Sequence, residues 1–409
     1  MAMTQTFRFI LACALLALSL QASAQDKVQT VRPEVGKPIE AAIDLLKHRR
    51  GRDALAKARE AQEVGGKSAY EAFVVDQVLG QAAASAGDHA TAARAFESAA
   101  GSSAAPEQQR RQFLAAAASQ YYLTKDYSKT ADIAGRYLRS GGNDRAVRVL
   151  QAQAFYLGGN YSGAAKVLSA DIDAEELAGR APGEDQLQLL LSAFDKQQDS
   201  AGYTRTMEKL VAYYPKKDYW ANVLQGIAAR PGYADKLALD LARLKLEAGV
   251  MRTASDYVEA AQLSLQDGFP MEAVKTIDQG YAAGLLGTGP EAERHKRLKD
   301  LAAKYLAEDK ETMAREDSSA NKDGKALFND GYNYVLYGKF EKGLAMMERG
   351  LKLGTGFRRP EHAKLQLGHA YHLAGNRQKA IQIYRTIHGS DGSGSIARLW
   401  IVRLQRNGA

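Results

Sequence analysis

Three histidines, His362, His369 and His372, stand in the run HAKLQLGHAYHLAGN, seven and then three residues apart. Residues spaced this way share one face of a helix, so the three imidazoles form a stripe. Imidazole nitrogens bind zinc or copper and move protons near neutral pH. One straight helix seldom converges three ligands on one ion, and no carboxylate or thiolate stands at ligand spacing beside them. A polar binding surface is therefore the reading preferred here. A metal-binding or enzymatic site on this helix is the alternative.

Other stretches offer less chemistry. AQEVGGKS, residues 61–68, fits a loosened phosphate-loop pattern. That mechanism needs a glycine-rich loop between a buried strand and a helix. The residues before it, DALAKAREAQEV, read as an alanine-rich helix, and Gly65-Gly66 read as its C-terminal cap. The chain has no Gly-x-Ser-x-Gly elbow, no His-Glu-x-x-His and no Cys/His cluster. The carboxylate pairs Asp171/Asp173 and Glu175/Glu176 lie in polar surroundings and read as solvated surface. No catalytic residue, cofactor or metal is assigned.

The start of the chain, MAMTQTFRFILACALLALSLQASAQ, has one positive charge, an apolar run and Ala22-Ser23-Ala24. This is the pattern of a secretory signal peptide, residues 1–24, cleaved before Gln25. The apolar run is short for a membrane span. A lipoprotein reading of Leu11-Ala12-Cys13 puts the cysteine too early. Cleavage removes the single cysteine and takes the formal charge from +8 to +7. The mature chain is expected to fold by packing without disulfides, in the periplasm of a Gram-negative cell, with no transmembrane anchor. Charges alternate in sign without a basic block, which argues against nucleic-acid binding.

The elements that must position the histidines repeat. QVLGQAAASAGDHATAARAFESAA, from Gln77, matches KLQLGHAYHLAGNRQKAIQIYRTI, from Lys364. Each has Leu-Gly, then Gly-Asp or Gly-Asn, then Ala and an aromatic four residues later. Turn signals fall near Arg50-Gly51, Gly87-Asp88, Lys125-Asp126, Gly159-Asn160, Gln198-Asp199, Pro231-Gly232, Gly268-Phe269, Gly338-Lys339 and Gly375-Asn376. From Gly87 the spacings are 38, 34, 39, 33, 37, 70 and 37, the 70 being two periods with one turn missing.

This pattern resembles the tetratricopeptide repeat, a helix-turn-helix unit of about 34 residues. The resemblance covers 40–63, 73–100, 111–138, 145–171, 184–215, 217–244, 254–281, 324–351 and 361–388. It implies an all-α, right-handed α-solenoid of stacked helix pairs. Gly80 and Ala92 are expected at a close helix crossing with Phe96 filling the space beside them. Gly368, Ala380 and Tyr384 repeat the arrangement. The expected organisation is a leader at 1–24, an N-terminal solenoid at 25–289, a charged helix and linker at 290–323, a C-terminal repeat pair at 324–390 and a capping helix at 391–409. The linker is read as an irregular repeat, with a hinge as the sharper alternative.

In the family this resembles, set positions of each first helix line a concave groove. Carried onto this chain they are Gln77, Gln81, Ser85, Tyr122, Gln153, Tyr156, Gln262, Gln266, Phe328, Tyr332, His362, His369 and His372. Amides pair with a peptide backbone and aromatics cover its side chains. The resemblance therefore implies a non-enzymatic adaptor or scaffold holding a protein or peptide partner. The Lys/Asn clamp that some relatives use on a C-terminal carboxylate is missing at these positions. Exported proteins of similar layout accompany TonB-type systems and envelope transport or assembly machines, and that analogy gives the class of partner. A purely structural envelope component is the third reading.

Overall fold

A computed structural model of the chain describes residues 30–315 and 323–406. The leader at 1–24 and the polar break at 318–321 lie outside the described residues. Every regular element among the described residues is helical: twenty α-helices and one 3-10 turn, Asp235–Leu237. The chain divides into two compact units, one ending at Gly158 and the other starting at Gly159. The boundaries expected at 289 and 324 both fall inside the second unit.

The N-terminal unit contains three helix hairpins and a seventh helix. These are α1 (Pro33–Lys47) with α2 (Gly51–Glu63), α3 (Ala69–Ala86) with α4 (His89–Gly101), α5 (Glu107–Leu123) with α6 (Tyr127–Arg139), and α7 (Arg145–Leu157). The C-terminal unit begins with α8 (Tyr161–Leu177), α9 (Glu184–Lys196), α10 (Ser200–Tyr213), α11 (Lys217–Ala228) and α12 (Ala238–Glu247). It continues with α13 (Ala254–Gln266), α14 (Pro270–Ala282), the long charged α15 (Ala292–Arg315), α16 (Gly324–Leu336) and α17 (Phe340–Leu353). It ends with α18 (Pro360–Leu373), α19 (Arg377–Tyr384) and α20 (Ser393–Arg406). Within each unit, helices adjacent in sequence pack on each other.

Local chemistry explains the hairpin turns. The helix stops at a residue in the left-handed region, such as Gly87, Gly268 or Gly375, with φ of 81°, 83° and 77°. Glycine enters that region without a Cβ penalty. The next residue caps the following helix. Asp88 accepts from the Thr91 amide, Asp126 from Lys129 and Asn376 from Lys379. Each cap satisfies an N–H that the first turn leaves without an intrahelical partner.

The close crossings fall where the repeat pattern put them. A Cβ on Gly80 would lie 2.6 Å from the Phe96 ring, and one on Gly368 would lie 2.5 Å from the Tyr384 ring. The α16/α17 hairpin is tighter. A Cβ on Gly331 would meet the Gly343 carbonyl at 2.7 Å, and one on Gly343 would meet the Gly331 carbonyl at 2.5 Å. Ala92 and Ala380 are fully buried. Ala92→Leu is expected to cost about 1–3 kcal/mol, because added volume forces the two helices apart. Gln108→Ala, on an exposed turn of the same unit, should stay within about 0.5 kcal/mol. Thermal melts by circular dichroism compare them, and equal losses would argue against the repeat register.

The phosphate-loop-like stretch follows a helix, α2, where the mechanism needs a strand. Ser68 accepts from the Glu71 amide while Glu71 accepts from the Ser68 amide, which closes a capping box at the start of α3. Arg32 donates to Glu71 and holds its carboxyl down at about 2. These residues start a helix.

Candidate functional site

The C-terminal unit curves until its late helices meet its early ones. α20 packs on α10 and α12 as well as on α18 and α19. Arg398 donates twice to Glu208 at 2.8 Å, and the Ala234 amide donates to the Asp391 carbonyl. Lys275 on α14 donates to the Leu336 carbonyl, and the Asn333 amide group donates to the Gly268 carbonyl. The faces that would line an open groove therefore meet one another.

A buried charge cluster lies at the centre. Arg243 on α12 donates through Nε and Nη2 to the two Glu272 oxygens, both at 2.7 Å, and through Nη1 to Asp240 at 3.0 Å. Its guanidinium lies 5.0 Å from the Tyr332 ring centre and 5.7 Å from that of Phe269. Burial by itself would lower the Arg243 pKa, but Glu272, Tyr332 and Asp240 outweigh it and hold the group charged. Burial raises Asp240, against the pull of Arg243. The Tyr332 hydroxyl and His369 Nδ1 share a hydrogen bond at 2.7 Å. Burial, then the nearby Arg243 and His372, push the His369 pKa well below its ordinary value, so the imidazole is neutral.

The three histidines share a face of α18 but do not converge on one point. His369 meets Tyr332. His362 Nε2 lies 2.8 Å from Asp391, and His372 Nε2 lies 3.4 Å from Glu247. Burial would raise Asp391, yet hydrogen bonds from Ser393 and His362 hold it at about 2. The hydrogen bond to His372, with Arg403 alongside, keeps Glu247 below the ordinary carboxylate range. Trp400 of α20 packs 5.5 Å from His369 and 5.4 Å from His372, and stacks on Tyr384. Among the described residues no three His, Cys, Asp or Glu side chains form a cluster able to hold a metal.

Three groove assignments need correction, and so does the reading of Asp171 and Glu175 as solvated surface, since both are buried and Gln186 donates to Asp171. Phe328 and Tyr332 were placed on an open groove, but they are 1% and 0% exposed. Phe328 packs edge-on to Phe357, and Tyr332 packs edge-on to Phe269. They belong to the interior because the unit closes over the face they occupy. His369 is buried for the same reason, while His362 and His372 are half-buried. Gln262 and Gln266 are exposed on α13, as is Ser85 on α3. Gln77, Gln81, Tyr122, Gln153 and Tyr156, all in the N-terminal unit, are half-buried.

Register makes the contrast sharp. Gln81 and Gln153 each stand seven residues before the cap of the next helix, Asp88 and Asn160. Tyr332 and His369 hold the same place before Lys339 and Asn376. Gln81 and Gln153 are half-exposed there, whereas Tyr332 and His369 are buried; Gln262, at the same place before Phe269, is exposed.

Around the cluster lies a cavity of about 220 Å³. It is bounded by α12, α13, α14, α16 and α18, with Arg243, Glu247, Glu272, Thr276, His369 and His372 among its walls. The charged members were missed in the sequence. A signal was present: ALDLARLKLE places leucines on two opposite faces of α12, and a helix with two apolar faces is packed on both sides. Its charges must then find partners inside.

No protein-family model matches the chain, and no curated protein matches it. Among solved structures the chain is similar to one from the Naa15/Naa10 complex bound to HypK-THB, at 14% identity and a TM-score of 0.29. That match covers 89% of this chain and 58% of the other. It is also similar to yeast Tom70, at 12% identity and a TM-score of 0.26, covering 91% of this chain and 97% of that one. The P58(IPK) TPR domain gives 14%, 0.25, 91% and 97% in the same order. TM-scores this low carry nothing about function. The fold stands on the chain's own helices: stacked hairpins with small and aromatic residues at their crossings.

Proposed function

We propose that the chain is a non-enzymatic scaffold that holds a protein or peptide partner along the first helices of its N-terminal unit. One observation carries this reading. Gln77 and Gln81 on α3, Tyr122 on α5, and Gln153 and Tyr156 on α7 stay half-exposed on successive first helices, while Phe328, Tyr332 and His369 in the C-terminal unit are buried. Amides and aromatics in series suit an extended chain or a helix, with the aromatics as anchors. The groups with the most chemical potential are committed elsewhere: His369 to Tyr332, His372 to Glu247 and His362 to Asp391. No helix among the described residues is long and apolar enough to cross a membrane. The leader pattern supports a periplasmic location, and a TonB-type or other envelope transport or assembly system as the setting.

A photo-crosslinking residue at Gln153 is expected to trap one discrete partner in cells. The same residue at Lys310, exposed on α15, should trap none. Replacing Tyr122 and Tyr156 together with alanine should weaken capture by about 10-fold or more while leaving helicity intact. Equal labelling from Gln153 and Lys310 would defeat the reading. So would one equivalent of zinc or copper retained through purification, which would favour the histidine helix as a metal site. For the location, mass spectrometry of the osmotic-shock fraction should find a mature terminus at Gln25. A lipid on Cys13, or an intact leader in the cytoplasm, would count against it.

A further inference from the structure

We infer that the cavity of the C-terminal unit binds a small uncharged amphiphile, with an apolar body the size of one large aliphatic side chain and an amide or hydroxyl head. Its volume, about 220 Å³, sets the size. It is below the roughly 300–1,000 Å³ of sites for drug-sized ligands. It exceeds the roughly 150 Å³ engineered cavity that accepts benzene. Leu246, Met251, Leu336 and Leu373 supply an apolar wall.

The charges set the ligand's charge. Arg243 is paired with Glu272 and Asp240, and Glu247 with Arg403. Lys275, at the rim, donates to a backbone carbonyl. The formal charges of these six residues cancel, His369 adds none, and His372, 3.4 Å from Glu247, adds one only when protonated. An ionised ligand would add a charge without a partner to a half-enclosed site, which is costly. A neutral one leaves the balance intact.

The head group follows from α14. Thr276 is 4% exposed and lines the cavity, with Gln279 one turn further on at the mouth. Neither side chain hydrogen-bonds to another described residue, although hydroxyls elsewhere in these helices, such as Ser264, donate to the carbonyl four residues back. A hydroxyl and a carboxamide together offer donors and acceptors to a neutral polar head. The inference is independent of the scaffold reading, which concerns the N-terminal unit, so either can fail alone.

The test uses three probes of one shape: N-acetyl-leucinamide, which is neutral, N-acetyl-leucine, an anion, and leucinamide, a cation. Binding to the full chain is followed by the Met251 methyl resonance. The neutral probe is expected to shift it saturably, and each ion should bind about 10-fold or more weakly. Leu373→Trp, at a residue 38% exposed on the rim, should block the shift without disturbing the core. Gln279→Ala should weaken it severalfold. Tighter binding of a blocked Gly-Leu-Gly peptide than of N-acetyl-leucinamide would assign the site to a residue presented on a chain. Weaker binding would assign it to a free molecule. An equal response to all three probes, preference for either ion, or no saturable shift would overturn the inference.

Discussion

Replacing Arg243 with methionine is expected to destabilise the C-terminal unit by about 3–5 kcal/mol, the usual cost of leaving a buried charge without its partner. The guanidinium makes three hydrogen bonds to two buried carboxylates, at 2.7, 2.7 and 3.0 Å. Methionine fills much of the same volume, so the loss reads the charge and not a void. Asp240 and Glu272 would then be ionised without a partner or would take up protons. Urea unfolding followed by tryptophan fluorescence reports on this unit alone. The chain's two tryptophans are Trp220 and Trp400, and both are buried there. Lys299→Met is the control. It breaks an exposed pair with Asp278 and should cost no more than about 1 kcal/mol. Changing Arg243 to Met, Asp240 to Asn and Glu272 to Gln together should recover much of the loss, because no charge is then stranded. If Arg243→Met cost no more than Lys299→Met, the cluster would not be the centre of the unit.

The second large effect is on acid stability. His369 is buried and neutral, with its folded pKa well below the ordinary value near 6.5. Below about pH 6.5 the unfolded chain binds a proton there that the folded chain refuses. Stability from this group is therefore complete above about pH 6.5 and is lost as pH falls toward the folded pKa. The slope is at most about 1.4 kcal/mol per pH unit while the folded chain refuses the proton. Asp391 adds a separate loss between about pH 4 and 2, because its folded pKa is held at about 2. His369→Gln keeps a hydrogen-bonding partner for the Tyr332 hydroxyl and cannot titrate. The variant should lose the pH dependence between 6.5 and 4.5 and keep the steeper loss below 4. Unfolding midpoints at pH 7.5, 6.5, 5.5 and 4.5 check this. A wild-type midpoint flat across that range would remove His369 from the buried cluster.

The sequence by itself determined the hairpins. Gly87-Asp88, Lys125-Asp126 and Gly375-Asn376 stop one helix and cap the next through groups within a few residues of each other. The crossings of Gly80 with Phe96 and of Gly368 with Tyr384 were equally legible, because both partners lie inside one repeat. Only the tertiary structure decided which faces stay open. Tyr332 and His369 occupy the register of Gln81 and Gln153, yet they are buried where the glutamines are half-exposed. Arg243 meets Glu272 across 29 residues, and His372 meets Glu247 across 125. Those distances depend on how small rotations between successive hairpins accumulate. A repeat fixes its own turn and crossing, but a groove closes only through the sum of many such rotations, which no single repeat encodes.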